Sequence, residues 1–213
     1  MIKEDIVLYV DSRFLSPYAM SVFVALLEKN IPFQIRKVNL ASGENLRPDY
    51  ARLSLTQRVP TLAHGNFHLS ESSAIIEYLD ELFPAPDHLI VYPKDVQFKA
   101  KARQIQAWIR SDFLSIRKER STEIVFCQPS DKPLSEAAQI ETAKLFAAAD
   151  ILIKDGTKNL FNDWCIADTD LALMLNRLVL NGDEVPEKLA GFARYQWERQ
   201  SVQQWVKQDH SFY

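Results

Sequence analysis

Glycine is scarce in this chain. Five of 213 residues are glycine, at positions 43, 65, 156, 182 and 191, and no two lie within six residues of each other. That spacing excludes the dinucleotide fingerprint G-x-G-x-x-G and the P-loop G-x-x-x-x-G-K-[ST]. It also excludes the nucleophile elbow G-x-S-x-G. A low glycine content suits a helix-rich protein, because glycine destabilises helix interiors. Cysteine is rarer still. Cys127 and Cys165 are too few and too far apart for a disulfide framework or a zinc knuckle, and a reducing, cytoplasmic compartment is expected. No apolar stretch approaches 18 residues, and Met1-Ile2-Lys3-Glu4-Asp5 has no apolar signal core, so no membrane partner is expected. Net charge is −3 with no basic block, which argues against a nucleic-acid partner.

What remains is ordinary globular composition, 47% hydrophobic and 25% charged. The length fits one large domain or two small ones. Ile6-Val7-Leu8-Tyr9-Val10 is a continuous β-branched run, the pattern of a strand buried on both faces. Ala19, Val22, Phe23, Leu26 and Leu27 follow at helical spacing, and Asn30 and Pro32 end that helix. A second strand starts at Phe33 and ends near Val38, and the connection is long enough for parallel pairing. Gly43 to Leu53 is a short helix candidate. Val59 to Ala63 reads as a third strand, Gly65-Asn66 as a turn, and Phe67-His68-Leu69 as the returning antiparallel strand. Ser70 is a candidate N-cap for a helix carrying Ile75, Ile76, Leu79, Leu82 and Phe83.

The N-terminal part is therefore β-α-β-α-β-β-α over residues 1–83. Prolines 84, 86 and 93 bound a linker over 84–93, and 94–213 holds no convincing strand. Helical patterns run from Val96 to Arg117, from Leu134 to Ile153, through Leu171–Val179, and from Tyr195 to Val206. A mixed α/β domain followed by an all-α domain is expected.

Three local features lie on the small domain. Ser16-Pro17-Tyr18 opens the first helix, with proline at N1 and serine at the N-cap. Val59-Pro60 begins the third strand. Glu71-Ser72-Ser73-Ala74-Ile75 places an acid and hydroxyls in the first turn of the third helix. Each alone has a plain structural reading, as a cap, an edge-strand start and a dipole-complementing turn.

In this order on this skeleton, Ser16-Pro17-Tyr18, Arg58-Val59-Pro60-Thr61-Leu62 and Ser70-Glu71-Ser72-Ser73-Ala74-Ile75-Ile76-Glu77-Tyr78-Leu79 resemble the glutathione S-transferase family. Ile166-Ala167-Asp168-Thr169-Asp170-Leu171 and Arg199–Trp205 are similar to its second-domain helices, so the resemblance covers Ile6 to about Val206. It points to the serine-type branch and to bacterial stress-associated members within it. The resemblance implies a thioredoxin-like N-terminal domain on an all-helical one, with glutathione as co-substrate and no further cofactor. It implies that Ser16 donates its hydroxyl to the glutathione sulfur as the catalytic residue. Val59 would pair its main chain with the cysteinyl backbone of glutathione, and Pro60 would be the cis-proline. Glu71 and Ser72 would hold the γ-glutamyl end, and Arg58 would approach the glycine carboxylate. The implied acceptor is a small electrophile or a hydroperoxide, and the implied assembly is a homodimer.

The chemistry is sound in its own right. A free thiol has a pKa of about 8.5, and lowering it by about two units takes roughly 2.7 kcal/mol of thiolate stabilisation. A hydroxyl donor beside the positive end of a helix supplies that order of energy. The alternatives are glutathione-dependent peroxide reduction with little transferase activity, and a non-enzymatic protein that keeps the fold for binding.

The sequence departs from the family at two places. Ser54-Leu55 and Gln57 replace the usual Asn-Pro and Gly ahead of the strand proline, and Cys165 replaces the usual Ser or Thr before Ile166. Cysteine is a poor cap acceptor, so Asp163 is an alternative helix start. Tyr9 is a rival thiol donor, and Ser12 a weaker one. Cys127 reads as a small hydrophobe. His64 and His68 flank a turn without further ligands, and no metal site is expected. Arg110, Phe113 and Arg117 are candidates to border the family's substrate cleft.

Overall fold

The computed structural model describes residues 5–211, so the chain start read above for a signal core lies outside the described residues. The chain divides into two compact units, one formed by residues up to 91 together with those from 204 onward, the other by residues 92–203.

The first unit is built on a four-stranded sheet, order β2-β1-β3-β4, from β1 (Ile6–Asp11), β2 (Gln34–Val38), β3 (Thr61–His64) and β4 (Phe67–Ser70). β1 and β2 are parallel, and β3 is antiparallel to both β1 and β4. Ile6, Leu8 and Val10 are buried while Val7 and Tyr9 are half-buried. The continuous apolar run is thus fully covered on one face only. β2 is an edge strand, exposed along Gln34–Lys37.

Helix α1 (Pro17–Glu28) starts at its Ser16 cap. It ends in a Schellman-type turn: Asn30 takes a left-handed φ of 51°, and the Ile31 N–H donates to the Leu26 carbonyl at 3.0 Å. Asparagine is one of the few residues that tolerate this conformation. A 3-10 turn at Glu44–Leu46 leads into α2 (Pro48–Leu53). Helix α3 (Ser72–Leu82) packs against α1 with Ile75, Ile76 and Leu79 buried. Its cap position belongs to Glu71, one residue later than expected, because Ser70 is held as the last residue of β4. Trp205 is fully buried in this unit, edge-on to Phe14 and Phe23 at 5.1 and 5.3 Å between ring centroids.

A buried ion pair locks the far side of this unit. Lys29 is 1% exposed, and its Nζ donates to Asp80 Oδ1 at 3.0 Å and to the Leu89 carbonyl at 2.8 Å. The same Asp80 oxygen accepts the Val91 N–H at 2.9 Å. The end of α1, the last turn of α3 and the proline-rich segment therefore share one charge cluster. The Ala85–Pro86 bond in that segment is cis.

The second unit is helical: α4 (Val96–Ser111), α5 (Leu114–Glu119), α6 (Thr122–Phe126), α7 (Glu136–Leu152), α8 (Ile166–Val179), α9 (Glu187–Trp197) and the start of α10 (Gln200–Val206). The periodicity from Val96 to Arg117 is interrupted at Phe113, whose φ of 62° turns the chain between α4 and α5. The pattern from Tyr195 to Val206 likewise spans two helices, since α9 ends before Glu198. Helix α8 is buried along nearly its whole length, as its run of apolar residues demands.

Candidate active site

The strand register gathers three segments at one end of the sheet. Tyr9 pairs with Thr61, and Thr61 pairs with Ser70. The chain leaving β1 toward Ser16, the chain entering β3 through Arg58-Val59-Pro60, and the chain leaving β4 toward Glu71 and Ser72 therefore meet at the same end of the sheet. Every residue named for glutathione lies in one of these segments.

Ser16 is half-buried, and its Oγ accepts the Ala19 N–H at 3.2 Å. An accepting hydroxyl still has its proton to give, and no described residue accepts it. The Ser16 main chain is fixed by Asp11, a residue that the sequence did not single out. Asp11 is 6% exposed at the end of β1, and its two carboxylate oxygens accept the Leu15 and Ser16 N–H groups at 2.7 and 2.8 Å. An acid placed where a strand ends and a capped helix begins was the available signal.

The Val59–Pro60 bond is cis. Val59 is half-buried, and its main chain has no hydrogen-bond partner among the described residues. The Arg58 side chain is exposed. The Arg58 carbonyl is buried in hydroxyls: Tyr50 Oη lies at 2.9 Å, Thr61 Oγ1 at 3.1 Å and Ser54 Oγ at 3.2 Å. Gln57 adopts φ 53°, the left-handed conformation that the absent glycine would take freely, and its carbonyl accepts the Asn45 side-chain amide at 2.8 Å. Burial raises the Tyr50 phenol above its usual range.

Glu71 is exposed and carries φ 73°, ψ 115°. That is a strained backbone for a residue with a side chain, and such strain concentrates at functional positions. Its side chain has no partner among the described residues. Ser72 is the first residue of α3 and is buried, with its N–H in the unpaired first turn.

The other candidate groups make contacts of their own. The Tyr9 ring packs edge-on to Tyr50 at 5.8 Å. The Ser12 N–H donates to the Val38 carbonyl at 2.9 Å. His64 Nδ1 bonds the Tyr78 hydroxyl at 2.8 Å, and no group of three or more metal-ligating side chains occurs among the described residues. In the second unit, Arg110 pairs with Asp170 at 2.8 Å and Phe113 is buried against Trp108, while Arg117 is half-buried. Cys127 is exposed at the end of α6.

Helix α8 begins after Cys165, not Asp163. Asp168 Oδ2 accepts the Cys165 N–H at 2.8 Å as one arm of a capping box and Oδ1 accepts the Leu160 N–H at 2.7 Å, so the carboxylate fixes the start. Burial raises Asp168 to about 6 and pushes the Cys165 thiol well above its usual range.

A small mixed α/β domain with an open main-chain edge, followed by a helical domain, is the architecture of thioredoxin-like transferases. Comparison with known proteins identifies which. The profile of the glutathione S-transferase N-terminal domain matches residues 15–82, and that of the glutathione S-transferase C-terminal domain matches 95–210. The chain belongs to the glutathione S-transferase family. A Burkholderia glutathione transferase homologue, solved with bound glutathione, is 51% identical over 97% of this chain and 98% of its own, with a TM-score of 0.81. Mouse glutathione S-transferase theta-1 is 39% identical over 101 residues, 47% of this chain. That match spans 40% of the mouse protein's length. Glutathione transferase F2 of Populus trichocarpa shares the fold, with a TM-score of 0.73 at 22% identity over 95% of this chain and 97% of its own. Among the described residues no helix is long and apolar enough to cross a membrane.

Proposed function

We propose that this protein is a glutathione transferase in which Ser16 activates the glutathione thiol for attack on a small electrophile. The observation that carries the reading is Ser16 itself: a helix-capping hydroxyl whose proton no described residue accepts, at the end of the sheet where Val59 offers an open main chain. The thiol of glutathione receives that proton as a hydrogen bond, which favours thiolate over thiol. Val59, in the loop ahead of β3, pairs its main chain with the tripeptide in the manner of an added strand. Glu71 meets the γ-glutamyl ammonium, and the Ser72 hydroxyl and the first N–H groups of α3 meet its carboxylate. Arg58, whose exposed side chain has no partner among the described residues, meets the glycine carboxylate. The serine at this position supports the serine-type branch and, within it, the bacterial YfcF-like subgroup. The glutathione carried by the Burkholderia homologue supports the same co-substrate here.

Hydroperoxides are a second acceptor class for the same thiolate. The reading extends to a homodimer in the reducing cytoplasm. In support of the dimer, the second unit has a groove of about 340 Å³ between α4 and α7, lined by Ile105, Trp108, Ile151 and Leu152, and Ile151 is 81% exposed. The test is retention on immobilised glutathione, followed by parallel assays with a chloronitroaromatic and an organic hydroperoxide. Failure to bind glutathione would refute the reading. Binding without turnover of either acceptor would favour the non-enzymatic alternative.

A further inference from the structure

Four buried hydroxyls converge on the loop ahead of Pro60, and counting their protons links them in a chain. Tyr50 and Thr61 lie within hydrogen-bond distance of the Arg58 carbonyl and 3.0 Å from each other. Ser54 reaches the same carbonyl, and its Oγ is 3.1 Å from Ser70 Oγ. A carbonyl oxygen has two lone pairs and each hydroxyl one proton. Two arrangements use every proton once and give the carbonyl two donors. In both, Ser70 donates to Ser54, which donates to the carbonyl; in one Thr61 donates to Tyr50, which donates to the carbonyl, and in the other Tyr50 and Thr61 exchange roles.

The consequence lies on the other side of the peptide. The Arg58–Val59 bond is not among the cis bonds, so its C=O and N–H point in opposite directions across one rigid plane. Drawing the Arg58 carbonyl inward turns the Val59 N–H outward, where no described residue takes it. The second arm of the chain ends on Ser70, the residue before Glu71. One hydroxyl chain therefore holds both the main-chain edge and the start of α3.

We infer that Tyr50, Ser54, Thr61 and Ser70 form a buried hydroxyl relay that aims the Val59 N–H and sets its distance from Glu71 and Ser72, making Tyr50 and Ser54 positioning residues for glutathione. This rests on the glutathione reading of the site. It assigns Ser54 a task at the point where this sequence departs from its family. The relay touches the backbone half of the site and not Ser16, so it governs affinity and leaves thiol ionisation alone.

The experiment measures glutathione and S-methylglutathione binding by calorimetry, with kcat, KM and the pH–rate profile, for wild type, Tyr50→Phe, Ser54→Ala, Ser54→Thr and Ser54→Ala/Glu71→Ala. Tyr50→Phe and Ser54→Ala should each weaken both ligands about five- to tenfold, the scale of one buried hydrogen bond. KM should rise while the pH midpoint stays at its wild-type value. Ser54→Thr, which keeps the hydroxyl, should restore affinity. The double variant should lose less than the product of the single losses, because both halves are held together. Thermal unfolding identifies any variant that fails to fold, and Ser54→Thr then serves with Tyr50→Phe as the readout. Unchanged affinity in a folded Tyr50→Phe and Ser54→Ala, or a shifted pH midpoint, would overturn the relay. Absence of binding by wild type would instead overturn the glutathione reading.

Discussion

Replacing Ser16 by alanine removes two separable things. The first is the cap on the Ala19 N–H, made at 3.2 Å. Loss of such a cap costs about 1 kcal/mol, or about 2–4 °C of melting temperature in a chain of this size, at any pH. The second is the hydroxyl donor to the sulfur. If that donor and the helix terminus together lower the bound thiol by about two units from about 8.5, the thiolate fraction at pH 7 is about three quarters. Without the lowering it is about 3%, a loss of about 25-fold. A more basic thiolate is a better nucleophile, with a Brønsted slope of about 0.4–0.5 in thiol exchange, and this returns up to about tenfold. The midpoint of the pH–rate profile is therefore more diagnostic than the rate at one pH. In Ser16→Ala it should move up by about one to two units, with activity recovering at alkaline pH and glutathione affinity nearly unchanged. A variant that keeps the wild-type midpoint would refute the assignment and move the donor to Tyr9 or to an N–H of α1.

Glu71 combines strain with ligand binding, so Glu71→Gly should raise the melting temperature while weakening glutathione binding by about 1.5–3 kcal/mol, read by calorimetry. A melting temperature that does not rise would deny the strain. Asp80→Ala should cost about 3–5 kcal/mol in denaturant unfolding because it strands the buried Lys29 ammonium, whereas Lys29→Met/Asp80→Leu should recover most of that loss. Asp168, raised to about 6, holds its proton in the folded chain at pH values where the unfolded chain has lost it. Its contribution to stability thus falls by up to about 3 kcal/mol as pH rises from about 4 to 6 and is flat above. The deficit of Asp168→Asn relative to wild type should shrink across that window in urea titrations; a constant deficit would contradict it. Light scattering at micromolar concentration should give twice the subunit mass, and Ile151→Glu should reduce it to one.

The fold was legible because its elements are punctuated by residues with strong local preferences. Ser16-Pro17 fixes the start of α1, Asn30 its end, and Gly65-Asn66 the hairpin. The misread boundaries share one cause. Phe113 with φ 62° and Glu71 with φ 73° hold conformations that their residue types disfavour, so no local preference marks them. Only the surrounding packing imposes those bends, and packing is not written in a window of neighbouring residues. The join between α9 and α10 is similar: apolar spacing runs on through it, and the register changes without a glycine or proline.

The site shows a different division. Ser16, Val59, Glu71 and Ser72 stand at element ends, where sequence reasoning looks for function. Asp11, Tyr50 and Ser54 act through backbone groups of neighbouring loops, and Ser70 through the Ser54 hydroxyl, and a serine that donates to a carbonyl looks in sequence like any loop serine. Their task becomes readable only when the acceptors are counted. Arg58 has one carbonyl with two lone pairs and three hydroxyls around it, and that excess forces the protons into a chain. A glycine and an asparagine in this loop would supply the same geometry by backbone freedom and by an amide. Here Gln57 accepts a left-handed backbone, and Ser54 shortens the reach so that Ser70 completes it. The loop can therefore keep an outward Val59 N–H without the residues that usually secure it, provided all four hydroxyls stay buried together.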